Sequence, residues 1–147
     1  MNQQVSVAAV MTHAGRILAV RRSQKEAFLP GVFELPGGKV EFGEQPDVAI
    51  EREVLEETGV RASIRRILTA RSYLSKSGTQ HNIEIIYIVT PLVDEPTIRL
   101  SDAHDEYLWI GPPEVKSLGL PNDDPIRLTI QAFFDSEYGD TATHQVR

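Results

Sequence analysis

Three glutamates crowd one turn of the segment Arg52-Glu53-Val54-Leu55-Glu56-Glu57-Thr58-Gly59. On a helix turning about 100° per residue, Glu53, Glu56 and Glu57 fall within an arc of roughly 100°. Like charges at such spacings cost about 0.2–0.5 kcal/mol per pair. A solvated helix face ordinarily mixes signs, with a cation four residues after each acid. Here no lysine or arginine follows the acids within the helix, and Arg52 precedes Glu56 in the less favourable order. The cluster asks for a cation from outside the chain. Carboxylates without a single cysteine in the sequence suit a hard divalent ion such as Mg²⁺, which takes oxygen ligands and shares its shell with phosphates. Such an ion makes mutually repelling acids attractive to a polyphosphate and lowers the pKa of a bound water. The chemistry indicated is hydrolysis of a phosphoanhydride.

The acids need elements to hold them. Pro46 to Thr58 reads as a helix, with proline in the first turn and Gly59 as its stop. Val48 with Leu55, and Ile50 with Val54, form two apolar flanks around the carboxylate stripe. Before it, Leu35-Pro36-Gly37-Gly38 is a loop whose paired glycines let backbone approach a ligand. Val5–Met11 and Ile17–Arg22 are β-rich and joined by a turn holding Gly15, which predicts a hairpin. Ser23–Gly31 reads as a loop and Val32–Leu35 as a short strand. Ile64–Leu74 and Ile83–Leu92 are long strands, and Leu108–Ile110 is a short one. Asp124-Pro125 starts a last helix, with Ile126, Ile130, Phe133 and Phe134 on one face. Strands between two helices suggest an α/β/α sandwich in a single domain over residues 1–138, with a frayed tail at 139–147.

Composition narrows the field. The net charge of −6 argues against a protein that coats nucleic acid, and a small anionic ligand would need local cations or a metal. No apolar run approaches membrane-spanning length, and the start lacks a basic leader, so the cytoplasm is the default setting. The four histidines show no metal spacing, and Trp109 reads as core. Phe28 and Phe33 fit either the core or a ligand groove.

Gly38, Glu44, Arg52-Glu53-Val54, Glu56-Glu57 and Gly59-Val60 match the pattern G-x5-E-x7-R-E-U-x-E-E-x-G-U at every fixed position. This segment resembles the Nudix box. FELPGGK before it and EYLWI after it extend the likeness to a single, MutT-like Nudix domain. The resemblance implies a Nudix-type α/β/α sandwich with a mixed sheet, and hydrolysis of a nucleoside diphosphate linked to another group, with Mg²⁺ or Mn²⁺. It implies metal ligands at Glu53, Glu56, Glu57 and the carbonyl of Gly37. It assigns Arg52 and Glu44 to fixing the loop onto the helix, and Lys39 to the phosphates. The water would be activated by Glu53 or by an acid of a later loop: Asp102, Asp105 or Glu106. That loop also fits a plain polar surface.

Substrate identity lies outside the box. The marker proline of many ADP-ribose hydrolases and the SQPWPFPxS motif of NADH-type members are absent. Tyr73 lies nearer the box than the marker tyrosine of dinucleoside polyphosphate hydrolases. ILAVRR resembles the MutT-like strand whose closing arginine faces the nucleotide, here Arg22, with Arg21 the alternative. Leu120–Pro125 resembles the stretch that meets the base, which points to Asn122 or Asp123, with Asp124 as a helix cap. These features favour a nucleoside triphosphate cleaved to monophosphate and pyrophosphate. An ADP-ribose or nucleotide-sugar pyrophosphatase is the second reading, and a non-catalytic Nudix-fold nucleotide-binding regulator the third. Strands 64–74 and 83–92 offer a surface for a homodimer.

Overall fold

The computed structural model describes residues 1–139. Apart from residue 139, the tail expected to fray lies outside them.

The chain is organised by one long strand, β1 (Asn2–His13). Its residues alternate between two cores, as a strand's period of two requires. Val7, Ala9 and Met11 enter one cluster, with Ala49, Ile50 and Val54 of α1 (Pro46–Thr58). Ala8 and Val10 enter the other, with Ile130, Phe133 and Phe134 from the end of the chain. The sheet is thus covered on both faces, as the expected α/β/α sandwich requires.

β1 turns through Ala14-Gly15 into β2 (Arg16–Arg22). Both turn residues have positive φ, 52° and 77°, matching the twist of a two-residue hairpin. The strands therefore run closer to the turn than the predicted five-residue connection allows. β2 pairs with β3 (Phe33–Glu34) on one side and with β7 (His104–Ile110) on the other. β1 pairs in parallel with β6 (Gln80–Pro91), which forms a long hairpin with β5 (Ala62–Ser75). The sheet is mixed.

Three sequence expectations need correction. The glycines after Pro36 are not loop: Gly37–Lys39 form β4, antiparallel to β1 with Gly38 opposite Val7. A Cβ on Gly37 would strike the Val7 carbonyl, so glycine is what lets this strand pair so closely. β7 begins four residues before the predicted Leu108, because its polar first half still pairs with β2. Finally, α1 is not packed on both apolar flanks. Ala49, Ile50 and Val54 are buried, but Val48 is 55% exposed. Only the Ile50–Val54 side meets the sheet, because the other flank looks outward.

After β7 come a 3₁₀ helix (Pro112–Leu118) and α2 (Pro125–Phe134). Asp124 caps α2, its Oδ1 accepting from the amides of Ile126 at 2.8 Å and Arg127 at 3.3 Å. Among the described residues, no helix is long and apolar enough to cross a membrane.

Candidate active site

α1 and β4 bring the acids against the glycines. Ala49, small and fully buried, lets the helix sit close to the sheet. Gly59 ends the helix in the left-handed conformation at φ 73°, its amide donating to the Leu55 carbonyl. The carboxylate stripe is thereby set beside Gly37 and Gly38. The Gly37 amide donates to Glu57 Oε1 at 2.8 Å. A Cβ on Gly38 would come within 2.5 Å of the Glu53 carboxyl carbon, so Glu53 lies directly over that glycine.

Arg52 organises this end. Its Nε and Nη2 grip the two oxygens of Glu44 at 2.7 and 2.9 Å, a bidentate pair. Nη2 also reaches the Lys39 carbonyl at 3.1 Å, and Nη1 reaches Glu53 at 3.0 Å and Glu56 at 3.3 Å. Glu44 in turn accepts from the Glu41 amide at 3.0 Å. One guanidinium therefore ties loop, strand and helix together.

The acids have different environments. Glu56 is 58% exposed at its side chain, whereas Glu53 and Glu57 are each 14% exposed. Burial pushes Glu57 up to about 7, against the opposing Gly37 amide and the charge of His104. Burial also raises Glu53, with Arg52 pulling the other way. Among the described residues, no three acid or imidazole side chains are converged into a metal shell. Glu53 and Glu56 turn to Arg52, and Glu57 turns to the Gly37 amide. In kind the donors fit a hard divalent cation: anionic oxygens on one helix face, beside a glycine strand that leaves room.

Sequence reasoning missed two residues here. His104 is 2% exposed at its side chain, with Nε2 on Glu34 Oε2 at 2.7 Å and Nδ1 3.9 Å from Glu57 Oε2. Burial works to lower its pKa, but the Glu34 hydrogen bond and the charges of Glu57 and Glu34 prevail and raise it. Among the described residues, no group hydrogen-bonds to Nδ1. Glu34 also meets Arg22 Nη1 at 3.3 Å. The signal for it is the alternation of β7, which turns His104 inward; a strand that starts at Leu108 leaves that residue out.

The later acids are placed elsewhere. Asp105 and Glu106 both pair with Arg21, each at 2.8 Å, in the β2–β7 ladder. Asp102 is exposed. None of the three joins Glu53, because the inward position next to them belongs to His104. Arg22, rather than Arg21, lines the groove, as do Lys39, Gly37, Gly38 and Glu57. This groove holds about 440 Å³, within the range of small-ligand sites. Asn122 and Asp123 are exposed and do not line it; the wall nearest them is Asp124, Pro125 and Ile126, where the chain has already entered the helix. Phe28 lines the groove, and Phe33 packs on the core below α2. Trp109 packs on the core below α1.

The model of the NUDIX domain matches residues 2–130, and the chain belongs to that family. It is a Nudix hydrolase, a pyrophosphohydrolase acting on phosphorus-containing anhydrides. A MutT-like protein of Streptomyces ambofaciens is 33% identical over 112 residues, covering 76% of this chain and 66% of that relative. The nucleoside triphosphatase NudI of Salmonella agona is 28% identical over 124 residues, covering 78% and 86%. The crystal structure of a MutT protein from Methanosarcina mazei Go1 superposes with a TM-score of 0.75 at 28% identity, covering 93% and 96%.

Proposed function

We propose that the protein hydrolyses nucleoside triphosphates to monophosphate and pyrophosphate, with Mg²⁺ or Mn²⁺. The observation that carries this is the Arg52-centred set of acids beside Gly37 and Gly38, opening on a groove that Lys39 and Arg22 line. The name of the NudI relative, a nucleoside triphosphatase, supports the triphosphate.

Glu53, Glu56, Glu57 and the Gly37 carbonyl would hold the ion. Once bound, a divalent ion stabilises charge on phosphoryl oxygens and acidifies a water. The chain does the rest. Lys39, on an exposed edge of β4, offers an ammonium to the phosphates. Arg52 keeps Glu53 in place through Oε1. We assign the proton transfer to Glu53 Oε2: water attacks the α-phosphorus, its proton passes to that oxygen, the bond from the α-phosphorus to the α–β bridging oxygen breaks, and pyrophosphate leaves with that oxygen.

The test is product identification by phosphorus NMR with a panel of nucleotides and Mg²⁺. Monophosphate plus pyrophosphate from triphosphates is expected. AMP plus ribose 5-phosphate from ADP-ribose, with triphosphates untouched, would replace this reading with the nucleotide-sugar one. Binding without turnover across the panel would leave a regulator.

A further inference from the structure

The groove continues beyond the acids into a second cavity of about 260 Å³. The two share Arg22, Phe28, Glu34, Tyr73 and Glu84 along a common wall. Phe28 and Tyr73 are 69% and 48% exposed there. Exposed rings on a cavity wall suit the stacking of a planar heterocycle. The polar groups around them decide which heterocycle.

Both guanidinium groups of this cavity are already committed. Arg22 donates through Nε to the Phe28 carbonyl at 2.6 Å, through Nη1 to Glu34, and through Nη2 to Glu26. Arg71 donates through Nε and Nη2 to Glu84 Oε1 at 3.2 and 2.8 Å, and through Nη1 to the Pro125 carbonyl and Thr129 Oγ1. Glu34 is engaged through both oxygens, by Arg22 and His104. Glu84 is not. Its Oε1 takes both Arg71 bonds, and among the described residues no group donates to Oε2. Asp124, on the same wall, uses only Oδ1 for its cap. Glu84 Oε2 and Asp124 Oδ2 are thus open acceptors on the cavity wall, beside the Tyr73 hydroxyl, which can donate as well as accept. Glu84 is also rigidly placed, because Arg71 clamps it from the facing strand and joins it to the first turn of α2.

We propose that Glu84 is a specificity-determining residue that reads the nucleobase through Oε2. It selects bases carrying an exocyclic amino group over those with a carbonyl at the same position. A carboxylate accepts a charge-assisted hydrogen bond from an amino group and is repelled by a carbonyl oxygen. A site built to hydrogen-bond one group discriminates strongly against an analogue that cannot answer it. This inference rests on the nucleotide reading given under Proposed function.

The experiment is calorimetric binding of matched monophosphates, CMP against UMP and AMP against IMP, to the full chain and to Glu84→Gln. Hydrolysis of the matching triphosphates is followed in parallel. In the wild type, the amino member should bind at least about tenfold more tightly in the pair the cavity accepts. In Glu84→Gln, whose amide can donate to a carbonyl, that ratio should fall to near one or invert. A variant that merely loosened the fold would weaken both members of a pair equally and leave the ratio unchanged. Equal binding within both pairs, a ratio that survives Glu84→Gln, or no binding of any monophosphate would overturn the proposal. So would an effect confined to ribose against deoxyribose, which assigns Glu84 to the sugar. Turnover of triphosphates without base preference sinks Glu84 alone. Preserved monophosphate ratios without triphosphate turnover sink the triphosphate reading alone.

Discussion

Arg52 and Glu44 form a two-point ion pair, Nε to Oε2 at 2.7 Å and Nη2 to Oε1 at 2.9 Å, across the loop that leads into α1. The remaining nitrogen of Arg52 reaches two of the three acids. The pair thus fixes the loop and orients the carboxylates in one arrangement. Residues that orient ligands in this way typically affect metal affinity or activity by about 10–100-fold. Arg52→Lys, which cannot reproduce the fork, should lower kcat/KM for the preferred triphosphate by about that factor. Circular dichroism should remain that of the wild type.

The same pair sets a pH dependence. Arg52 and the Glu41 amide hold Glu44 down to about 2. A carboxyl depressed in the fold stabilises it above its unfolded pKa and loses that contribution as pH falls through the folded value. Urea unfolding of the wild type and Glu44→Gln should therefore differ at pH 7. The two curves should converge between pH 4.5 and about 2. A gap that stays constant down to pH 2 would contradict the pairing.

Gly37 and Gly38 should fail differently. A Cβ on Gly38 meets the far end of the Glu53 side chain, which can swing aside. Gly38→Ala should therefore keep its melting temperature within a few degrees while activity falls at least about tenfold through displacement of Glu53. A Cβ on Gly37 meets the Val7 backbone, which cannot yield without breaking the β1–β4 pairing. Gly37→Ala should destabilise the fold by about 1–3 kcal/mol, as overpacking does. Thermal melts with activity assays on both variants check the contrast.

His104 links Glu34 to the neighbourhood of Glu57. His104→Ala removes one of the two partners of Glu34 and leaves a cavity beside the acids. A drop of about 10–100-fold in kcat is expected, with partial recovery in His104→Gln, whose amide can still donate to Glu34. Steady-state kinetics on the two variants suffice.

The acidic stripe was legible in the sequence because helical spacing is local: Glu53, Glu56 and Glu57 sit where a period of 3.6 puts them. Pro46, Gly59 and the cap Asp124 were legible for the same reason. His104 and Glu34 were not. They are 70 positions apart and meet only because β2 pairs with β3 on one edge and β7 on the other. Arg71, Glu84 and the first turn of α2 meet by the same kind of long-range pairing. Gly37 and Gly38 misled as loop because close strand pairing, not turn chemistry, is what requires them. Asn122 and Asp123, expected at the base, are exposed where the chain turns into α2, and Asp124 takes the position on the cavity wall.

The central claim is that Glu53 and Glu57 form a divalent-ion hydrolysis centre. It is tested most directly by pyrophosphate release from the preferred triphosphate as a function of Mg²⁺, for the wild type, Glu53→Gln and Glu57→Gln. Saturable activation in the wild type, its loss with EDTA and return on adding Mg²⁺, and a fall of at least about 100-fold in each variant are predicted. Turnover in both variants near the wild-type rate, or undiminished by EDTA, would contradict it.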